Sequence, residues 1–228
     1  MIESWCCLES GQGAPALNMA MDEALLEGMS ILRRPVLRFY GWSQPAASFG
    51  YFQKYGQVEH LTSLRPLVRR PTGGGIVPHD ADWTYSLIFP PDHVWYGLSA
   101  TESYRRVHLW IQMAFERLKV ETELAPIALK THPGQCFVGH EQSDLLCHAR
   151  KIAGAAQRRR RDGLLVQGSV QPPSSELNRM DWEQAMRDSA SSAFGVVWQA
   201  FQKWVPLEER AKELVQSKYS QSRYNQQR

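Results

Sequence analysis

The stretch Arg69-Arg70-Pro71-Thr72-Gly73-Gly74-Gly75-Ile76-Val77-Pro78-His79-Asp80 constrains this chain more than any other. Three consecutive glycines carry no Cβ, so the backbone there can adopt positive φ and a ligand can approach the main chain closely. No regular element runs through such a triplet, so it must be a loop. Its flanks supply the elements it joins. Val36-Leu37-Arg38-Phe39-Tyr40, bounded by Pro35 and Gly41, has the β-branched and aromatic content of a strand. Residues 84–89 read as another strand, closed by Pro90-Pro91. Arg69 and Arg70 add fixed positive charge suited to a phosphate or carboxylate. The block is not a P-loop, since no Gly-Lys-Ser/Thr follows, and it is not a G-x-G-x-x-G dinucleotide turn. Taken alone, it fits an ordinary glycine-rich turn beside a solvated arginine pair equally well.

The remaining elements follow from spacing. A first helix is expected over 16–28, with Pro15 in its first turn, Leu17, Met21 and Leu25 four apart, and Gly28 at its end. Ser99 and Glu102 form a capping-box pattern ahead of a second helix. Its buried face is Tyr104, Val107, Ile111, Ala114, Phe115 and Leu118. Strands are expected over 151–157 and 164–170, with Asp162-Gly163 as the hairpin signal between them. Residues 181–219 read as two or three helices with Trp198, Phe201 and Trp204 on a packed face, and the polar end 217–228 reads as frayed. Strands with interspersed helices and no strict βαβ rhythm give an α+β class with mixed sheets flanked by helices. A single domain over 1–228 is expected.

Composition narrows the functional classes. With 43% hydrophobic and 21% charged residues, the chain of 228 is neither disordered nor fibrous. Lys plus Arg exceeds Asp plus Glu by only 26 to 23, too little for nucleic-acid binding by bulk charge. No apolar run approaches the roughly 18 residues of a membrane span. Met1-Ile2-Glu3-Ser4-Trp5 lacks the regions of a secretory signal, so a cytoplasmic location is expected, with neither nucleic acid nor membrane as partner. Cys6, Cys7, Cys136 and Cys147 form no C-x-x-C pair and have no histidine at zinc-finger spacing, so no metal site is expected and the thiols should be free.

A free thiol is core filler or a reagent. Cys136 stands 15 positions before Lys151, one of only seven lysines against nineteen arginines, and an ammonium near a thiol favours the nucleophilic thiolate. His79, His132, His140 and His148 are each candidate bases, and spacing does not choose among them. The run Arg158 to Arg161 is either a docking patch for an acidic protein or a solvated hairpin end. No aromatics interleave with it, which argues against a single-strand nucleic-acid platform.

Together these segments resemble the lipoate–protein ligase superfamily, whose fold is shared with biotin–protein ligase catalytic domains. Four blocks from Asn18 to Val170 carry the likeness: Asn18-Met19-Ala20-Met21-Asp22-Glu23-Ala24; Arg38-Phe39-Tyr40-Gly41-Trp42 through Ser48-Phe49-Gly50-Tyr51-Phe52-Gln53; Arg69 through Ser86; and Lys151-Ile152-Ala153-Gly154-Ala155-Ala156-Gln157 through Gly168-Ser169. Cys136-Phe137, then Ser143-Asp144-Leu145 and Lys151, look like the ligase-like octanoyltransferases, whereas ligases more often carry Asn-Asp-Ile or Asn-Asp-Leu before the lysine. Two departures from the family pattern stand out: Pro78 between Val77 and His79, and His148-Ala149-Arg150 in place of a glycine-bearing turn ahead of Lys151.

The resemblance implies a biotin/lipoyl ligase-like fold and an acyltransferase of protein lipoylation. Cys136 would take an octanoyl group from octanoyl-acyl carrier protein and pass it to a lysine of a lipoyl domain or of glycine-cleavage H protein, with Lys151 assisting. Arg69, Arg70, Gly73, Gly74, Gly75, His79, Gly154 and Ala156 would hold the substrate, and the arginine run would dock the acidic partner. No cofactor is implied. The alternatives are an ATP-dependent lipoate–protein ligase, which alone would require ATP and Mg, a lipoyl-domain-to-lipoyl-domain amidotransferase, and a silent binding module.

Overall fold

Alternate residues of the 36–42 segment are buried on opposite sides, and this two-faced burial sets the architecture. Leu37 and Phe39 pack into one core with Trp5, Trp110 and Trp182, while Val36 and Tyr40 pack into another with Met19, Leu25 and Leu207. Successive strand side chains point to opposite faces, so a strand buried on both must lie mid-sheet between two helical layers. A computed structural model describes residues 2–130, 134, 137, 139–202 and 204–227.

The strands are β1 (Glu3–Gly13), β2 (Val36–Trp42), β3 (Ala46–Phe49), β4 (Leu67–Arg69), β5 (Val77–His79), β6 (Trp83–Phe89), β7 (Glu123–Leu124), β8 (Leu129–Lys130), β9 (Gly139–His140), β10 (Leu145–Cys147), β11 (Arg150–Arg160), β12 (Gly163–Val170) and β13 (Val196–Ala200). The helices are α1 (Pro15–Glu27), α2 (Met29–Leu32), α3 (Tyr55–Val58), α4 (Ala100–Arg117), α5 (Arg179–Phe194), α6 (Val205–Leu214) and α7 (Ser222–Asn225). The large sheet runs β13-β1-β2-β6-β12-β11-β10-β7. Its first three strands are parallel, and antiparallel pairing takes over from β2–β6 onward. Apolar faces of α4 and α5 cover one side and those of α1 and α6 the other. A three-stranded sheet, β4-β3-β5, and the β8–β9 ladder complete the α+β architecture of mixed sheets and flanking helices. Among the described residues, no helix is long and apolar enough to cross a membrane.

The helix signals act as their chemistry requires. Pro15 occupies the first turn of α1, where its missing N–H leaves no bond unmade, and the Gly28 N–H closes the far end on Ala24 O. Ser99 Oγ accepts from the Glu102 N–H at 3.2 Å. The Glu102 carboxylate does not close the other half of the box; it pairs with Arg105 and Arg106 instead. The buried face of α4 also takes in Ser103, His108 and Trp110.

Two expectations about the later chain need correction. Trp198 lies not on a helix but on β13, which extends the large sheet beside β1. The 217–228 end is not frayed over its described part. Tyr219 is buried, its hydroxyl donating to Glu23 Oε2 at 2.6 Å, and Lys218 pairs with the same oxygen at 2.6 Å. Asn225 accepts twice from Arg69, through Oδ1 from the backbone N–H and through its carbonyl from Nη2. Burial alone would push the Glu23 carboxyl up, but the Lys218 and Tyr219 hydrogen bonds, with the charges of Lys218 and Arg160, bring it below the ordinary range.

Candidate active site

One carboxylate organises the α1 face of the sheet. Asp22 Oδ1 accepts from Arg38 Nη1 at 2.6 Å and from Ser86 Oγ at 2.7 Å; Oδ2 accepts from Gln167 Nε2 at 2.7 Å and from the Tyr40 hydroxyl at 3.1 Å. A buried charge survives only when paired and hydrogen-bonded, and here four donors from β2, β6 and β12 meet that demand. Gln167 carries the network outward, since its Oε1 accepts from Thr72 Oγ1 at 2.7 Å, at the root of the glycine loop.

Beyond Gln167 the glycine loop and the large sheet enclose a cavity holding about 500 Å³ of unfilled space, its open mouth included. Met19, Trp42, Val77 and Phe137 contribute apolar wall, and Ser48, Arg70, His79, Lys151 and Gln167 contribute polar points. A largely apolar cavity with a few convergent polar groups is the usual form of a small-molecule site.

Lys151, from β11, is buried and pairs with Asp144 Oδ2 at 2.7 Å. Asp144 is fixed by its own backbone: its carbonyl accepts from Ala125 N, and its Oδ2 also accepts from Glu141 N at 2.6 Å. Behind it, His108 Nδ1 donates to Ser143 O at 2.6 Å. Burial holds the His108 imidazole down to about 4, with Asp144 opposing and Lys151 reinforcing the shift, so it is neutral and donates without adding charge. A Cβ on Gly154 would come within 2.8 Å of Lys151 Nζ, so glycine there leaves room for the ammonium to fold back over the strand. Lys151 Nζ also lies 5.3 Å from the Phe137 ring centroid.

The glycine loop is held by the two arginines before it, and the pair divides its work. Arg70 lines the cavity and donates to Gly73 O, Gly75 O, Ser48 O and Ser48 Oγ. Arg69 lies outside the cavity lining, completely buried, and donates to Tyr51 O, Gln53 O, Tyr224 O and Asn225 O. Gly74 reaches the cavity wall, and Gly73 and Gly75 do not. A Cβ on Gly50 would fall 1.9 Å from Gly74 O, so the loop folds down only against a bare backbone at position 50.

Of the other residues singled out by sequence, His79, Gly154 and Ala156 line the cavity with Lys151. Among the described histidines His79 alone does so: His140 sits on β9, and His148 is exposed in the turn before β11. Cys136 and His132 lie outside the described residues. Their neighbours are tied to the rim, with Gly134 O accepting from Ile76 N and Gln53 Nε2, and Phe137 on the wall. The arginine run is partly engaged with the protein and partly open, with Arg159 and Arg161 exposed. Arg158 donates to Pro71 O and stacks over Tyr51, Arg159 donates to Leu98 O, and Arg160 pairs with Glu23 and Glu27. Among the described residues no cluster of histidine, cysteine and acidic side chains could hold a metal.

Sequence reasoning missed Ser48, Asp82 and the role of Asp144. Asp82 follows His79 by three residues and accepts from its Nδ1 at 2.9 Å, a spacing that could have marked it. Ser48 lies 31 residues from His79, and only the β3–β5 register brings them together.

The comparisons with known proteins agree with this geometry. Octanoyltransferase LipM of Halalkalibacterium halodurans is 38% identical over 182 residues, covering 74% of this chain and 66% of that protein. The Bacillus subtilis protein of the same name is 36% identical over 181 residues, covering 74% and 65%. The chain thus spans just under two thirds of the length of these relatives. Among solved structures, lipoate-protein ligase A bound with ATP superposes with a TM-score of 0.81 at 20% identity over 99% of both chains. The bipartite lipoate protein ligase of Thermoplasma acidophilum gives 0.75 at 20%, over 99% of this chain and 97% of its own. Those two establish the fold. The family described as lipoyl protein ligase A/B catalytic domain matches residues 14–180, and with its buried lysine, glycine loop and apolar cavity the chain belongs to that family.

Proposed function

We propose that the chain is an octanoyltransferase of protein lipoylation that works through an acyl-thioester on Cys136. The observation that carries this reading is the buried Lys151–Asp144 pair on the wall of an apolar cavity, beside Phe137, the residue that follows Cys136 in sequence. The names of the LipM relatives support the acyl group and the reaction class.

In this scheme the Cys136 thiolate, favoured by the Lys151 ammonium, attacks the thioester carbonyl of an octanoyl group on acyl carrier protein. Lys151 offers a positive charge to the developing oxyanion from a buried position, where such a charge counts most. The carbon–sulfur bond to the carrier breaks and the acyl group stays on Cys136. The amine of a lipoyl-domain lysine, or of glycine-cleavage H protein, then displaces the Cys136 sulfur and forms an amide. One thioester replaces another in the first step and an amide replaces a thioester in the second, so neither ATP nor another cofactor is needed. Met19, Trp42 and Val77 receive the octyl chain, and Gly74, Gly154 and Ala156 let it lie close to the backbone. Arg69, Arg70, Gly73 and Gly75 shape the loop, and of these four Arg70 also faces the cavity. Such a protein acts in the cytoplasm, where its carrier and acceptor domains are made.

Intact mass after mixing with octanoyl-carrier, without nucleotide, tests the scheme. An octanoyl adduct on the native chain and none on Cys136→Ser is expected. An adduct that persists in Cys136→Ser, or product that forms only from free acid and ATP with release of AMP, rejects it. The second outcome selects a ligase.

A further inference from the structure

Ser48, His79 and Asp82 form a continuous hydrogen-bonded chain that ends on the cavity wall. His79 Nδ1 lies 2.9 Å from Asp82 Oδ2, and His79 Nε2 lies 2.7 Å from Ser48 Oγ. Asp82 Oδ2 also accepts from Thr84 Oγ1 at 2.9 Å and Ser169 Oγ at 2.7 Å, so it acts as a carboxylate acceptor. His79 Nδ1 donates to that oxygen, and in the relay Nε2 is the ring nitrogen that takes a proton from Ser48. Ser48 Oγ receives Arg70 Nη1 at 3.3 Å and so turns its own hydrogen toward Nε2. The imidazole cannot swing away: it stacks on Trp42 with centroids 3.8 Å apart and is 4% exposed. Ser48 and His79 line the same cavity as Lys151, and Arg70 also lies on that wall.

Resting on the reading that an acyl-thioester is discharged by a lysine amine, we propose that Ser48, His79 and Asp82 are the proton relay of that second step. A lysine nitrogen that has added to a thioester carbonyl is positively charged. With a side-chain pKa of about 10.4 it leaves again as readily as the thiolate does, unless it first loses a proton. The relay removes that proton. The carbon–nitrogen bond forms, the nitrogen's proton passes to Ser48 Oγ, and the Ser48 hydroxyl proton passes to His79 Nε2. The resulting imidazolium is held by the Asp82 carboxylate. The carbon–sulfur bond then breaks with its electron pair going to Cys136 sulfur, and His79 returns the proton through Ser48 to solvent when the product leaves. The first step has no amine to deprotonate and does not use the relay.

The test charges the native protein, Ser48→Ala and His79→Gln with octanoyl-carrier, then discharges each acyl-enzyme with either the lipoyl-domain lysine or hydroxylamine. Hydroxylamine is largely unprotonated at neutral pH, and its adduct loses a proton to water unaided. A positioned base contributes about 10²–10⁴-fold, so the ratio of lysine to hydroxylamine discharge should fall at least thirtyfold in both variants. A ratio unchanged in Ser48→Ala, whether or not His79→Gln folds, overturns the relay, because a structural defect slows both nucleophiles alike. Variants that cannot be charged while the native protein can also overturn it, by placing these residues in the first step. If the native protein itself takes no acyl group, the Cys136 reading fails instead, and the two failures are distinct.

Discussion

Among the described residues two cations face the cavity, and their surroundings differ in kind. Arg70 spends its planar fork on the carbonyls of Gly73, Gly75 and Ser48, so its charge is used up in holding backbone. Lys151 meets one carboxylate oxygen of Asp144 and the face of Phe137. Guanidinium is rigid, always charged and suited to several acceptors at fixed angles, whereas an ammonium is a compact point charge on a flexible stem. The comparison teaches that the arginine frames the glycine loop, while the lysine, on the proposed function, is the charge that meets substrate. Exchanging each for the other type tests that division.

The largest effect is expected at Lys151. Lys151→Arg keeps the charge and an ion pair with Asp144, so the melting temperature should stay within a few degrees of the native value. Acyl-enzyme formation should nonetheless fall by about 10²–10³-fold, the usual loss when one oxyanion contact is misplaced. Rapid-quench intact-mass measurement reads that rate. A native rate in Lys151→Arg would show that charge alone suffices there, and the contrast with Arg70 would lose its meaning. The reciprocal change should act on stability. Arg70→Lys cannot span Gly73 O and Gly75 O together, and two lost charge-assisted bonds in a buried site cost about 3 kcal/mol. Urea unfolding monitored by tryptophan fluorescence would measure it. A midpoint like that of the native protein would mean that the loop does not depend on the fork.

Much of this contrast was legible in the sequence, and the gaps have physical causes. The glycine triplet, the α1 motif and the β11–β12 hairpin are local signals: glycine freedom, helix capping and a two-residue turn each act within a few positions. They placed His79, Gly154 and Lys151 in one family pattern, and the cavity contains all three. For Arg69 the family pattern offers two roles, orienting the loop or meeting a carrier phosphate, and the local sequence does not choose between them. Its actual partners include the backbone of Tyr224 and Asn225, 155 and 156 residues away, a distance over which no local pattern speaks. The C-terminal segment was misjudged for the same reason: its polar composition hides Tyr219 and Lys218, which exist to satisfy Glu23 on α1. Trp198 fits a helix face by spacing but lies on a strand, because five residues flanked by an αL Gly195 pair better with β1 than they extend α5.

The smallest predicted effect concerns the turn that delivers Lys151. His148 and Ala149 join β10 to β11 with φ of 48° and 59°. Two residues with positive φ between antiparallel strands form the type I′ connection, for which glycine or asparagine is the ordinary choice. Each non-glycine residue in that region costs about 1 kcal/mol through contact between Cβ and backbone. The family's glycine-bearing turn avoids that cost, so this chain approaches Lys151 through a strained hairpin. Ala149→Gly relieves one contact at the price of a more flexible unfolded chain. The net should be a stabilisation of at most about 0.5 kcal/mol, raising the melting temperature by no more than roughly 2 °C for a domain of this size. Differential scanning calorimetry resolves such a shift. Because Lys151 is registered against Leu146 and anchored by Asp144, not by the turn itself, the rate of acyl-enzyme formation should hold within about twofold. A faster-melting Ala149→Gly, or one with a large loss of rate, would show that the strained turn itself aims the ammonium, and the lysine would then resemble Arg70 in being held rigidly by its frame.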